Sequence, residues 1–167
     1  MTDRQRRAAV VTVGAVLLTA AAGCASSPPH AAGTTPSAAA LQDAAAKYMA
    51  IARPANRKLD HEFDVLKDHA KDNLAAAQAD VRAAAATERQ FDRQLMAISF
   101  SPPTEPVVLM LYRVNQARAA LTSTAAGATS LRQLRGYQKR LDAANQPVED
   151  AVRIIRDQLG LPPPDTS

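Results

Sequence analysis

With one cysteine, Cys24, among 167 residues, the chain has no second sulfur for an internal disulfide. Whatever folds must therefore hold by packing alone, even in an oxidising compartment. Tryptophan is absent and there are only three tyrosines and three phenylalanines, too few for a ladder on which nucleic-acid bases could stack. An excess of one charge is lacking too: 20 Lys and Arg stand against 16 Asp and Glu, with no basic cluster, so nucleic acid is a poor partner. Glycine is scarce, at six residues, and forms no phosphate-cradling loop; H-E-x-x-H and G-x-S-x-G are also missing. No glutamate has histidine three residues on, the spacing of a di-iron bundle. We therefore expect no enzyme, no metal and no cofactor.

What is present begins at the N-terminus. Arg4, Arg6 and Arg7 precede an uncharged run from Ala8 to Gly23, and that run ends in small residues against Cys24. A basic start, a short apolar middle and a small-residue end form the layout of an export signal. The run is shorter than the roughly 20 apolar residues a membrane helix needs, so cleavage is expected rather than retention. Arg6-Arg7 alone does not decide between general and twin-arginine export. Ala21-Ala22-Gly23-Cys24 resembles the lipobox of bacterial lipoproteins, although Ala21 stands where leucine is usual. The resemblance implies cleavage between Gly23 and Cys24, with diacylglyceryl on the Cys24 sulfur and anchoring to the outer face of the cytoplasmic membrane. Two acyl chains hold a protein on a bilayer, at about 0.8 kcal/mol per buried methylene, where one chain binds only marginally. Cleavage would also remove Arg4, Arg6, Arg7 and Asp3, leaving 17 basic against 15 acidic residues.

Residues 1–23 thus read as signal peptide and 24–36 as a lipidated flexible linker. ASSPPHAAGTTP has no periodicity and too little apolar surface to fold. As a coil it spans about 20 Å. Residues 37–161 read as a four-helix domain and 162–167 as a disordered tail. Ser37 offers an N-cap, and Leu41, Ala45, Tyr48, Ala52, Ala55, Leu59, Phe63, Leu66 and Ala70 follow at steps of three and four, with Pro54 an internal kink. Leu74, Ala77, Val81, Ala84, Glu88, Phe91, Leu95 and Ile98 make a second stripe. A turn between about Asp68 and Asn73 separates the two; without it, one helix of about 90 Å would need a partner chain.

Three prolines between Ser99 and Pro106 break the chain, and Thr104 can cap a third helix carrying Val107, Met110, Leu111, Val114, Arg118 and Leu121 inward. A fourth runs from about Ser130 to Leu159 with a kink at Pro147, and Gly160-Leu161-Pro162-Pro163-Pro164 ends it. Four such helices on short turns pack most simply as an all-α, antiparallel up-down four-helix bundle. Ala75, Ala76, Ala77, Ala84 and Ala85 would let neighbours approach helix two closely. The lipobox, the Arg53-Pro54-Ala55-Asn56 and Phe100-Ser101-Pro102-Pro103 segments and the Gly160-Leu161-Pro162 ending resemble small helical lipoproteins of alanine-rich, high-GC Gram-positive bacteria. That resemblance implies export and lipidation and brings no activity with it.

Polar residues on apolar stripes are the candidates for a site. Glu88 and Arg118 fall at one level if helices two and three form a hairpin near residue 101, and Asn56 and Gln138 fall near it on helices one and four. These four predict a polar layer that fixes helix register. Alternatively Arg118 extends to the rim, its stem covering apolar surface. Helix three starts apolar nearly all round, so Val108, Leu109 and Tyr112 should point sideways or outward, packing under the Phe100 loop or forming a patch for an envelope protein. His61 faces water and His69 a flank; with Asp64, Asp68 and Asp72 they read as a solvated charged face. Function thus reads as a lipid-anchored protein-binding or scaffold module, alternatively as a binder of a small apolar molecule or lipid within the bundle. The oligomeric state is not legible.

Overall fold

A computed structural model of the chain describes residues 37–164; the signal, Gly23, Cys24, the linker and residues 165–167 lie outside the described residues. The described chain is all-helical, without strands: α1 (Ala38–His69), α2 (Leu74–Leu95), α3 (Glu105–Ala125), α4 (Leu131–Gly136) and α5 (Gln138–Gln158). Three of the five helix starts carry a side-chain cap. Ser37 accepts from the Ala40 N–H at 3.2 Å, Asn73 from Ala76 at 3.0 Å, and Ser130 from Gln133 at 3.1 Å, each satisfying a donor that the first helical turn leaves open. Thr104 stands at the N-cap of α3 without capping it; its hydroxyl pairs with Ser101 Oγ at 3.1 Å. The chain leaves α1 at Ala70 and enters α2 at Leu74, so the long first segment is two helices.

Pro54 stays inside α1 and Pro147 inside α5. The expected single fourth helix is corrected: it divides at Tyr137 into α4 and α5. Gly136 ends the short piece, where low helix propensity removes about 1 kcal/mol relative to alanine. The C-terminus of α5 is closed by a left-handed residue, Gly160, at φ +64°. Leu161 N–H reaches the Arg156 carbonyl at 2.8 Å and Gly160 N–H the Asp157 carbonyl at 3.0 Å, the paired bonds of a Schellman cap.

The helices pack in succession, α1 on α2, α2 on α3, and α3 on α5, with α4 the short link between the last two. Two apolar clusters result. One joins Tyr48, Leu95, Leu111, Val148, Ile155 and Leu159; the other joins Ala77, Val81, Ala125, Ala128 and Leu134. Ala77, Ala84 and Ala85 are buried, as small residues at a close helix contact are, whereas Ala75 is exposed. Along α1, α2 and α3 alike, the stretch between the two clusters carries the buried polar residues: Glu62, Thr87, Glu88, Asp92, Asn115 and Thr122.

The face of α3 also needs correcting. Val108, Leu111, Asn115, Ala119, Thr122 and Ala125 point inward, while Met110 is exposed and Val107, Val114, Arg118 and Leu121 are half-buried. The helix is apolar nearly all round at its start, so side-chain size did not single out the buried face. Polar Asn115 and Thr122 lie on it because α2 offers them partners.

Candidate functional site

The polar band is built from side chains that α2 and α3 present to each other. Arg118 Nε lies 3.2 Å from Glu88 Oε1, and the Glu88 side chain is wholly buried. The Arg118 guanidinium also sits 5.9 Å from the centre of the Phe63 ring, a cation held against an aromatic face. Thr122 Oγ1 stands 3.5 Å from Glu88 Oε1 and donates to the Arg118 carbonyl at 3.0 Å. One helical turn on, Asn115 Nδ2 donates to Asp92 Oδ1 at 2.8 Å and to the Glu88 carbonyl at 3.3 Å. A second buried carboxyl, Glu62, accepts from the Thr87 hydroxyl at 3.1 Å and meets Lys58 at 3.7 Å. In each of the three acids one oxygen is left without a partner: Glu62 Oε2, Glu88 Oε2 and Asp92 Oδ2.

At Glu88 and Asp92 burial wins over pairing. It pushes the Glu88 carboxyl above its ordinary 4.5, although Arg118 and Thr122 pull the other way, and nearby Asp92 adds to the rise. Burial likewise pushes Asp92 above 3.8 against the hydrogen bond from Asn115. Groups raised in the folded state bind protons more tightly there than in the unfolded chain. Their stabilisation is complete below the unfolded values and is lost as pH rises through the folded ones. In urea unfolding across that window, the wild type should lose stability with rising pH relative to a Glu88→Gln/Asp92→Asn variant, whose amides keep the acceptors. Parallel pH curves for the two proteins would refute this.

Beside the band a cleft of about 80 Å³ opens between α1, α2, α3 and α5. Its polar lining comprises Tyr48, Asn56, Glu88, Asn115, Arg118 and Arg156, and its apolar wall includes Ala52, Leu59, Phe91 and Val152. The Tyr48 phenol is pushed up to about 12 by burial, partly offset by Arg156. Arg156 is committed elsewhere: Nε donates to the Pro162 carbonyl at 2.6 Å, and Nη2 to that of Pro163 at 3.2 Å. Those bonds hold the segment after α5 so that Pro164 forms part of the cleft rim.

The sequence-derived residues are thus divided. Glu88 and Arg118 meet, and Asn56, exposed overall, reaches the cleft. Gln138 does not join the layer; it is exposed at the start of α5 and donates to Asp142 at 2.8 Å. The proposed patch is also redistributed: Val108 is buried, Tyr112 is half-buried and bonded to Gln116, and Leu109 is exposed beside Met110. His61 is exposed and His69 Nδ1 pairs with Asp80 at 2.6 Å. Among the described residues no cluster of three metal-binding side chains occurs. Asp92, Asn115 and Thr122 escaped the sequence reading, which followed only the largest apolar stripe. Their signal was spacing: Asn115 and Thr122 lie seven apart, four and eleven residues after Leu111.

Compared with protein-family models, curated proteins and solved structures, the chain matches none.

Proposed function

We propose that the protein is an exported lipoprotein, held by lipidated Cys24 on the outer face of the cytoplasmic membrane, whose domain binds a small ligand without chemical turnover. The domain is read as an antiparallel up-down four-helix bundle. Supporting that topology, residue numbers fall on one helix as they rise on the next: Glu62 meets Thr87 and His69 meets Asp80; Asp92 meets Asn115, Glu88 meets Arg118, and Gln78 reaches the Ala128 carbonyl. No described helix is long and apolar enough to cross a membrane; attachment is assigned to Cys24 on the lipobox resemblance alone.

The observation that carries the binding role is the cleft, which runs from Asn56 to the buried Glu88–Arg118 pair. Its polar side widens the expected ligand class beyond wholly apolar molecules. Leu109 and Met110, 42% and 39% exposed, favour a second reading in which the bundle docks an envelope protein.

Two measurements test the proposal. Cys24→Ser in the native host should move the protein out of the membrane fraction; retention there with an uncut leader overturns the anchoring. Protein purified from native cells should carry a small-molecule mass by native mass spectrometry that Ala55→Trp, on the cleft wall, lacks. Equal loading of both proteins would remove the cleft as the binding site.

A further inference from the structure

The cleft's lining holds two arginines and one carboxylate, leaving one positive charge uncancelled. Arg156 is spent on the Pro162 and Pro163 carbonyls. Arg118 touches Glu88 through Nε and Phe63 through its face, and among the described residues its terminal nitrogens donate no hydrogen bond. The two terminal nitrogens form one free edge of the guanidinium, whose paired N–H groups match the two oxygens of a carboxylate. A cationic ligand is disfavoured: Glu88 Oε2 is sealed from solvent and Oε1 lies behind the charge of Arg118.

Size narrows the choice. A volume of about 80 Å³ is roughly half that of an apolar cavity that takes benzene, so only a short chain seats in the cleft. Beside Arg118, Ala52, Phe91 and Val152 offer a wall suited to aliphatic carbon.

We propose that the cleft binds a short aliphatic monocarboxylate, its carboxylate on the terminal nitrogens of Arg118 and its chain against the apolar wall. This rests on the reading of the cleft as the ligand site and adds the ligand's chemistry. The same chemistry is available from a free acid or from the C-terminal residue of a peptide.

Amide NMR titration of the full chain in detergent micelles tests it, with butyrate, butylammonium, butan-1-ol and a short peptide ending in valine as probes. Butyrate should saturate with a dissociation constant on the order of 1 mM, a reasonable yield for six atoms. Butylammonium and butanol should not saturate in the same range. Arg118→Gln, whose fold the spectrum itself reports, should weaken butyrate at least about tenfold, and Ala55→Trp should abolish binding while leaving Arg118 intact. A peptide that binds more tightly than butyrate assigns the carboxylate to a polypeptide end. Butylammonium binding as well as butyrate overturns the proposal. Absence of butyrate saturation overturns it too; the native mass then separates the failures, since a ligand lost in Ala55→Trp leaves the cleft standing and equal loading of both proteins removes the cleft as well.

Discussion

Arg118→Ala should cost the domain about 3 kcal/mol in urea unfolding at neutral pH, whereas the same change in a Glu88→Gln background should cost only about 1 kcal/mol. The first removes the one cation beside a wholly buried carboxylate whose second oxygen already has no partner. The second removes it from beside a neutral amide. What the difference measures is mainly the penalty of a stranded charge, not the worth of the pair. The direction in which Glu88 is moved makes that point, because desolvation outweighs the attraction of Arg118. An apolar replacement of both partners, Glu88→Met/Arg118→Leu, is accordingly expected within about 1 kcal/mol of the wild type or above it. Additive losses in the two single variants would show that the side chains do not interact.

If the pair adds little stability, its retention needs another reason, and two are open to measurement. It fixes the register of α2 against α3, since sliding by one turn would part the buried Glu88 carboxylate from Arg118. It also supplies the only cation of the cleft not bound to the C-terminal segment among the described residues. Loss of ligand binding in the apolar double variant, with its fold and stability intact, would favour the second.

What could be read before the structure was known depended on how strongly each local signal excludes alternatives. Ser37, the Ser99–Pro106 break and Gly160 act within a few residues, through a side-chain oxygen, missing N–H groups and a left-handed backbone, and all three mark element ends in the fold. The α1 and α2 stripes were legible because their opposite faces are charged. The α4–α5 division was not, since Gly136 alone is compatible with a continuing helix. Of the site, the level of Glu88 and Arg118 followed from counting residues about a turn. Asn115 was hidden because its partner, Asp92, sits off the apolar stripe, and only tertiary contact brings the two to 2.8 Å.

Helix α3 is where the two readings differ most, and truncation separates them. Leu111 is fully buried in the cluster with Tyr48, Leu95 and Ile155, so Leu111→Ala should cost about 3 kcal/mol, the transfer of the lost methyl groups plus the cavity left behind. Leu111 is inward on either reading and calibrates the measurement. Met110 decides. With 39% of its surface exposed it forfeits little on truncation, and Met110→Ala should change stability by less than about 0.5 kcal/mol. A core methionine, as the sequence pattern has it, would cost about 2–5 kcal/mol. Val108→Ala should behave the opposite way, a measurable loss at a residue 4% exposed that the sequence reading set sideways or outward, under the Phe100 loop or in a patch. Should Met110 prove costly and Val108 silent, α3 is turned by about 100° per residue of offset from the face described. Asn115 would then leave Asp92, and the polar band beside the cleft would come apart with it.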